Sequence, residues 1–220
     1  MGLSHQFIGD SNQLQKRTSE VAQDVLRMGA LVEESFRYSH QALIFRELKA
    51  VDMIVRGERE IDRYYRHIEA KCASILTLQS PVAQDLRILS AFMQLVRDLE
   101  RIGDYAQDLG DIALKLVSYP PHPCMPQVAL MSKQAQFMLN QAIIALTELD
   151  SQAGAKISKL DDRVDRSYEK LYQTLAFQKD VKGFVEPIIL LSLAIRHLER
   201  MADHATNIAH RVSYIVTGER

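Results

Sequence analysis

Tryptophan is absent, cysteine occurs twice and proline six times in 220 residues. Two cysteines, Cys72 and Cys124, offer no disulfide framework and point to a reducing compartment. No apolar run approaches the roughly 20 residues that a membrane-spanning helix needs. The longest, Pro187 to Ile195, is short and is interrupted by Ser192. The lead Met1-Gly2-Leu3-Ser4-His5-Gln6 has no apolar targeting core, and Gln6 stands where a myristoylation pattern needs Ser or Thr. A cytoplasmic protein is therefore expected. Charge of one sign is also missing. A net charge of −1 removes the main argument for a nucleic-acid partner, since neutralising phosphates needs an excess of Lys and Arg. The hydrophobic share of 47% is that of a folded chain rather than a disordered one.

Strand-like alternation is missing too. Apolar residues recur at spacings of three and four, the helical period. Four of the prolines, Pro120, Pro121, Pro123 and Pro126, cluster in one short segment. A proline ring removes an amide donor and clashes with the preceding turn, so this segment reads as a linker. The expected organisation is one bundle over residues 1–118, a linker over 119–126 and a second bundle over 127–220. Cys72 lies on an apolar seam and reads as a packing residue. Cys124, in the linker, reads as exposed.

The two parts repeat one another. An apolar stripe of Phe92, Val96, Leu99, Ile102, Ala106, Leu109, Ala113 and Leu116 recurs as Leu191, Ile195, Leu198, Met201, Ala205, Ile208, Val212 and Ile215. Beside it, Arg97, Glu100, Asp104, Asp108 and Asp111 recur as Arg196, Glu199, Asp203, Asn207 and His210. Apolar steps can coincide between any two amphipathic helices, but matching polar identities in the same phase indicate an internal duplication. Each half divides into three helices. Those of the first are expected near 11–46, 48–78 and from Ser80-Pro81 onward, with Ser80 as N-cap and Pro81 at the first helical position. Those of the second are expected near 126–149, 151–177 and 184–216, with a tight turn at Ser151-Gln152-Ala153-Gly154. Pro187 falls where the first half has Ile88, so the sixth helix either starts late or is kinked. The fold class is all-α: two tandem, pseudo-symmetric three-helix bundles with antiparallel neighbours. Thirty-residue helices are about 45 Å long, so an elongated molecule is expected.

Acidic residues occupy places where core residues belong. On the second helix, Val51, Ile54, Ile61, Tyr65, Ile68, Cys72 and Ile75 form a seam, yet the slot between Ile54 and Ile61 holds Glu58. In the other half Asp161 interrupts the seam of Ile157, Val164, Tyr168, Leu171 and Leu175. One turn on lie Asp62 and Asp165, so each second helix carries an acid-x-x-x-Asp pair. The third helices repeat that spacing as Glu100/Asp104 and Glu199/Asp203. Like charges four apart share a face and destabilise a helix by about 0.2–0.5 kcal/mol. A carboxylate drawn out of water must be protonated, paired or metal-bound. Arginines flank every pair (Arg59, Arg63, Arg97, Arg101, Arg163, Arg166, Arg196 and Arg200), and an ion-pair network is one answer. A hard cation on an oxygen-rich site is the other. His197, His204 and His210 lie near the second stripe, with His210 the best placed of them.

Catalytic patterns are missing. There is no P-loop, dinucleotide-binding glycine fingerprint, HExxH or CxxC, and no Gly-x-Ser-x-Gly elbow. No histidine follows a glutamate by three residues, which argues against a ferritin-like di-iron site. A binding protein rather than an enzyme is expected. Two other classes stay open: a metal-dependent phosphohydrolase, because clustered carboxylates with metal can activate water, and a metal-free helical scaffold.

The repeated stretches Leu99–Ala106 and Leu198–Ala205, of the form Leu-Glu-Arg-(Ile/Met)-(Gly/Ala)-Asp-(Tyr/His)-Ala, resemble the signature of the PhoU family. Gly57–Asp62 and Gln79–Arg87 also look like that family's first repeat, and the likeness runs from about Leu26 to Val216. It implies metal sites on the acid motifs: Glu58, Asp62, Glu100, Asp104 and Asp108 in one half, and Asp161, Asp165, Glu199, Asp203 and Asn207 in the other. Together with the donor chemistry, the cofactor expected is iron, manganese, zinc or magnesium. It further implies a negative regulator of phosphate uptake and phosphate-starvation signalling, dimeric, acting by contact. The partners implied are the ATPase subunit of a phosphate ABC transporter and a phosphate-sensing histidine kinase. The two sites should differ, because Asp108 and Asp111 in the first half face Asn207 and His210 in the second.

Overall fold

Among the described residues the chain forms six helices: α1 (Ser4–Phe45), α2 (Lys49–Gln79), α3 (Ala83–Leu116), α4 (Met125–Glu148), α5 (Ala153–Ala176) and α6 (Glu186–Thr217). The computed structural model describes residues 4–179 and 183–219, and no strand occurs among them. Met1 and Gly2, where a myristoylation pattern would begin, lie outside the described residues.

Three of the sequence expectations are corrected at the connections. Ser80 does not cap α3. It ends α2 in the left-handed conformation, at φ 42° and ψ 53°, and α3 begins at Ala83 after an extended Val82. The right-handed helical region is disfavoured before a proline, so Pro81 stops the helix before it rather than starting the one after it. Gly154 is not part of a turn: α5 begins at Ala153, and Gly154 is buried in its first turn. Cys124 is not exposed. It stands before α4 and is 3% exposed, with its Sγ 2.9 Å from Nδ1 of His122, and burial pushes its thiol pKa up to about 11. The sixth helix starts late, with Pro187 in its first turn, where a missing amide hydrogen costs no helical bond.

Within each half, consecutive helices run antiparallel, and the third packs on both the first and the second. On α3, Gly103 and Gly110 admit α2 closely. A methyl group on either would lie 3.2 Å from Cδ1 of Ile61 or 3.1 Å from Cδ1 of Ile54. This fixes the register that carries Glu58, which lies between those isoleucines. Alanines hold the equivalent places on α6, and both Ala202 and Ala209 are fully buried. The duplicated stripes form the centre of the molecule. Leu99, Ile102, Ala106 and Leu109 on α3, with Leu198, Met201, Ala205 and Ile208 on α6, are each no more than 1% exposed. Burying such a side chain is worth about 1.5–3 kcal/mol.

The halves meet along two antiparallel seams, α3 on α6 and α1 on α4, and the contacts obey a pseudo-two-fold relation. Asp98 occupies the register of His197, and Asp108 that of Asn207. Accordingly the contact of Asn207 Nδ2 with Asp98 Oδ1, at 3.5 Å, has its image in that of His197 Nδ1 with Asp108 Oδ2, at 3.9 Å. On the other seam, Ile143 packs on Gly29, and the image of that pair is His40 Nδ1 against Ser132 Oγ at 2.9 Å. A single buried apolar cluster runs through all six helices.

Candidate functional site

Each half gathers its two acid pairs between its second and third helices. In the first, burial raises the carboxyl pKa of Glu58, and the charges of Asp62 and Asp104 raise it further. Burial also raises Glu100, with Asp104 and Asp62 adding to the shift. Asp104 is raised by burial too, although Arg101 opposes it. The acids are therefore near enough to repel one another and only partly solvated.

The second quartet is the more strained. Burial, followed by Asp165 and Asp203, pushes the Asp161 carboxyl up to about 6. Burial raises Asp165, with Asp203 the largest charge upon it, and raises Glu199, with Asp203 again next. The Thr206 hydroxyl is close enough to Asp161 to oppose its shift. Yet neither that hydroxyl nor Asp161 Oδ1 completes a hydrogen bond of proper geometry, and Glu199 Oε2 is buried without a partner as well. An unpaired buried acceptor of this kind costs about 1–3 kcal/mol.

Arginines answer part of this charge. Arg66 Nη2 donates to Asp62 Oδ2 at 2.6 Å and Arg101 Nη1 to Asp104 Oδ2 at 3.1 Å. The Nε of Arg101 lies 3.7 Å from Glu100 Oε2. In the second half, Arg196 Nη1 reaches Glu199 Oε1 at 2.7 Å and Arg200 Nη1 reaches Asp203 Oδ2 at 2.9 Å. Among the described residues, no arginine comes within ion-pair distance of Glu58, Asp161 or Asp165, three of the four quartet acids contributed by α2 and α5. Arg63 is turned aside to Glu60.

The donors left over are oxygens, and oxygen-only sets suit a hard cation. The orphaned Asp161 Oδ1 and Glu199 Oε2 belong to facing helices. By donor chemistry, then, the quartets fit a metal ion. The side chains do not close around a single point, and no group of three His, Cys, Asp or Glu among the described residues has ligating geometry.

Asp108 and Asn207, one turn beyond the acid pairs, are exposed and meet His197 and Asp98 of the opposite half. None of the three histidines turns into the second quartet. His204 Nδ1 lies 2.8 Å from Asp98 Oδ1 across the seam. The His197 ring packs on Tyr105 with centroids 5.3 Å apart. His210 Nε2 lies 3.2 Å from Ser158 Oγ, and because that hydroxyl donates to Gly154 O at 2.9 Å, the ring nitrogen is the donor.

A family model described as the PhoU domain matches residues 25–113 and again residues 128–212. The chain belongs to the PhoU family. Each match encloses one acid quartet. A Synechocystis protein named as a phosphate-specific transport system accessory protein PhoU homolog is 70% identical over 200 residues, covering 91% of this chain and 89% of its own. A Pseudomonas aeruginosa protein of the same name is 30% identical, over 94% of this chain and 87% of its own. The crystal structure of PhoU from Pseudomonas aeruginosa superposes with a TM-score of 0.89 at 29% identity, over 93% of this chain and 99% of that one. The phosphate transport system regulatory protein PhoU from Streptococcus pneumoniae gives 0.85 at 26% identity, over 94% of this chain and 98% of that one.

Sequence reasoning missed the inter-half seam of this PhoU-family chain. Asp98 and Tyr105 stand in the registers of His197 and His204, on the inner flank of the duplicated stripe. Aligning the halves one column inside the acid motifs would have shown that two histidines of one half answer an acid and a tyrosine of the other.

Proposed function

We propose that this chain is a non-catalytic, cytoplasmic regulator of phosphate transport. It works by contact with the ATPase subunit of a phosphate ABC transporter and with a phosphate-sensing histidine kinase, as a homodimer, and damps phosphate uptake and starvation signalling. The observation that carries the reading is the double PhoU-domain match, reinforced by a 70%-identical relative named as an accessory protein of a phosphate-specific transport system. In this reading each quartet is a metal site. A bound iron, manganese, zinc or magnesium ion supplies positive charge that compensates the crowded carboxylates. The chain's own part is to hold Asp62, Glu100, Asp104, Glu199 and Asp203 in place with arginines. It leaves Glu58, Asp161 and Asp165 without that help. The ordered face of α2–α3 and α5–α6 is then the surface offered to partners.

The test pairs elemental analysis with capture on an immobilised transporter ATPase subunit, with and without EDTA. Wild-type protein purified without an affinity tag is compared with D161N/D165N. Metal near one equivalent per half, and capture that EDTA and the substitution both weaken, support the reading. Metal-free protein that is captured equally well would leave the regulator and remove the metal. Failure of capture in every state would remove the ATPase partner.

The arginine contacts to five acids favour a second reading, a metal-free scaffold bridged by ion pairs. High salt weakens exposed pairs and a chelator does not. Stability sensitive to salt and indifferent to EDTA therefore selects it.

A further inference from the structure

The duplication places a groove between the first and second helices of each half, and the two grooves have diverged. In the first half, charge narrows it to a cavity of about 240 Å³ lined by Asp24, Arg63, Tyr64 and His67. Asp24 is only 7% exposed. Its carboxylate accepts from Lys71 Nζ at 2.8 Å, and it lies 3.4 Å from His67 Nε2 and 3.3 Å from Arg27 Nη1. In the second half Gln127 stands in the register of Asp24, Leu130 in that of Arg27, Lys170 in that of His67 and Thr174 in that of Lys71. The internal carboxylate is gone, and one cation remains.

The second groove is the larger, a cavity of about 410 Å³, lined on one side by Gln127, Leu130, Lys170 and Leu171 and walled by His122 and Pro123 of the linker. No acidic residue lines it. Apart from the Gln127 amide, its neutral polar side chains are already engaged. Ser167 Oγ lies within hydrogen-bond distance of Gln134 Oε1 and of the Arg163 carbonyl, and Thr174 Oγ1 donates to the Lys170 carbonyl. The Cys124 amide donates to His122 Nδ1 at 3.2 Å. The hydrogen of that ring is therefore on Nε2, which donates to Gln178 Oε1 at 3.0 Å. The linker wall is thus fixed and uncharged. Lys170 forms no ion pair among the described residues and is left as the one unanswered charge at the cavity. An apolar cavity with a small number of well-placed polar groups is the usual form of a small-molecule site.

We propose that this cavity binds a small carboxylate with a compact apolar body. The carboxylate pairs with Lys170 in the place that Asp24 fills in the first half, and the body rests on Leu130 and Leu171. A single cation matches a monoanion better than a phosphate dianion, which draws on several donors. The occupant ties α4 and the linker to α5, the helix that also carries Asp161 and Asp165, and so stabilises this corner by mass action. The site is separate from the acid quartets, and its test needs no metal.

The experiment is titration of the full chain with sodium octanoate, read by methyl NMR of Leu130 and Leu171, with octanol and octyl phosphate as separate arms. Octanoate should give saturable shifts at both leucines. K170Q should weaken binding about tenfold, the worth of one charge-assisted hydrogen bond. Q127D, which restores the internal carboxylate of the first half, should abolish it. Octanol and octyl phosphate should bind more weakly than octanoate. The proposal is overturned by the absence of saturation up to about 5 mM octanoate, a dissociation constant worth only some 3 kcal/mol. Binding that neither substitution weakens, or octanol or octyl phosphate binding as well as octanoate, would also overturn it. Both substitutions are at exposed positions, and should either variant fail to fold, the other decides.

Discussion

His204 and Asp98 join the two halves directly: Nδ1 of one lies 2.8 Å from Oδ1 of the other, with side chains 12% and 14% exposed. These residues sit on α6 and α3, beside the pseudo-two-fold axis, and Tyr105 stacks near both His197 and His204. The seam is therefore more than an apolar contact, since it carries a polar pair largely removed from water.

Asp98→Ala should lower stability by about 1–3 kcal/mol, because it leaves a half-buried imidazole without its acceptor. His204→Ala should cost a similar amount, and the double variant should cost less than the sum by about 1 kcal/mol. Urea unfolding of the four proteins measures this cycle. Strict additivity would show that the pair does not bind the halves.

Asp161 makes the metal-free protein sensitive to pH. Its carboxyl rises from 3.8 to about 6 on folding, so the folded state takes up a proton that the unfolded chain lacks. That stabilisation is present below about pH 4 and is lost as the pH climbs through about 6. In EDTA at pH 7.5, Asp161→Asn should raise stability by about 1 kcal/mol, a figure reduced for partial exposure to solvent. Its stability curve between pH 4 and 6 should be flatter than that of the wild type. A variant less stable than the wild type under these conditions would show that the carboxylate is already well compensated.

His40 has the opposite sign. Burial, and then Lys133, lowers its pKa below 6.5, so the folded state resists protonation on the α1–α4 seam. Stability contributed there is complete above pH 6.5 and declines as the pH falls through the lowered folded value. His40→Gln keeps a polar group near Ser132 but cannot protonate. The difference in melting temperature between wild type and variant should therefore move in the variant's favour on going from pH 7.5 to 5. A constant difference would rule the titration out.

Gly154→Ala would set a methyl group 2.5 Å from Nδ1 of His210. The ring must move, and its hydrogen bond to Ser158 with it, at a cost of about 1–3 kcal/mol. His210→Ala should relieve most of that cost in the double variant. Thermal melts of the single and double variants decide the matter, and an unrescued loss would place the strain in the backbone instead.

Much of this was legible in the sequence. The six helices follow from periodicity and from the proline cluster, and the duplication shows in matched apolar and polar columns. The four acid pairs stood out because Glu58 and Asp161 interrupt seams that are otherwise apolar. Local features were harder. Ser80-Pro81 carries the chemistry of a helix start, and only the chain direction at Pro81 makes it a stop. Cys124 lies in a proline-rich segment of the kind usually exposed, yet the return of the linker over α4 buries it. Above all, what His197 and His204 touch depends on which helix lies opposite. That is decided by the docking of the halves, and column matching within each half says nothing about it.

The pseudo-two-fold seam also bears on how such a chain changes over generations. In an isologous dimer every substitution appears twice and is felt at both copies of a contact. Here one polypeptide carries both copies, so each mutation acts once. Asp98 could differ from His197, and Asp24 from Gln127, without a forced matching change. Tandem fusion thus released the halves from symmetry, and an acid-held groove and an open cavity are able to coexist in one molecule.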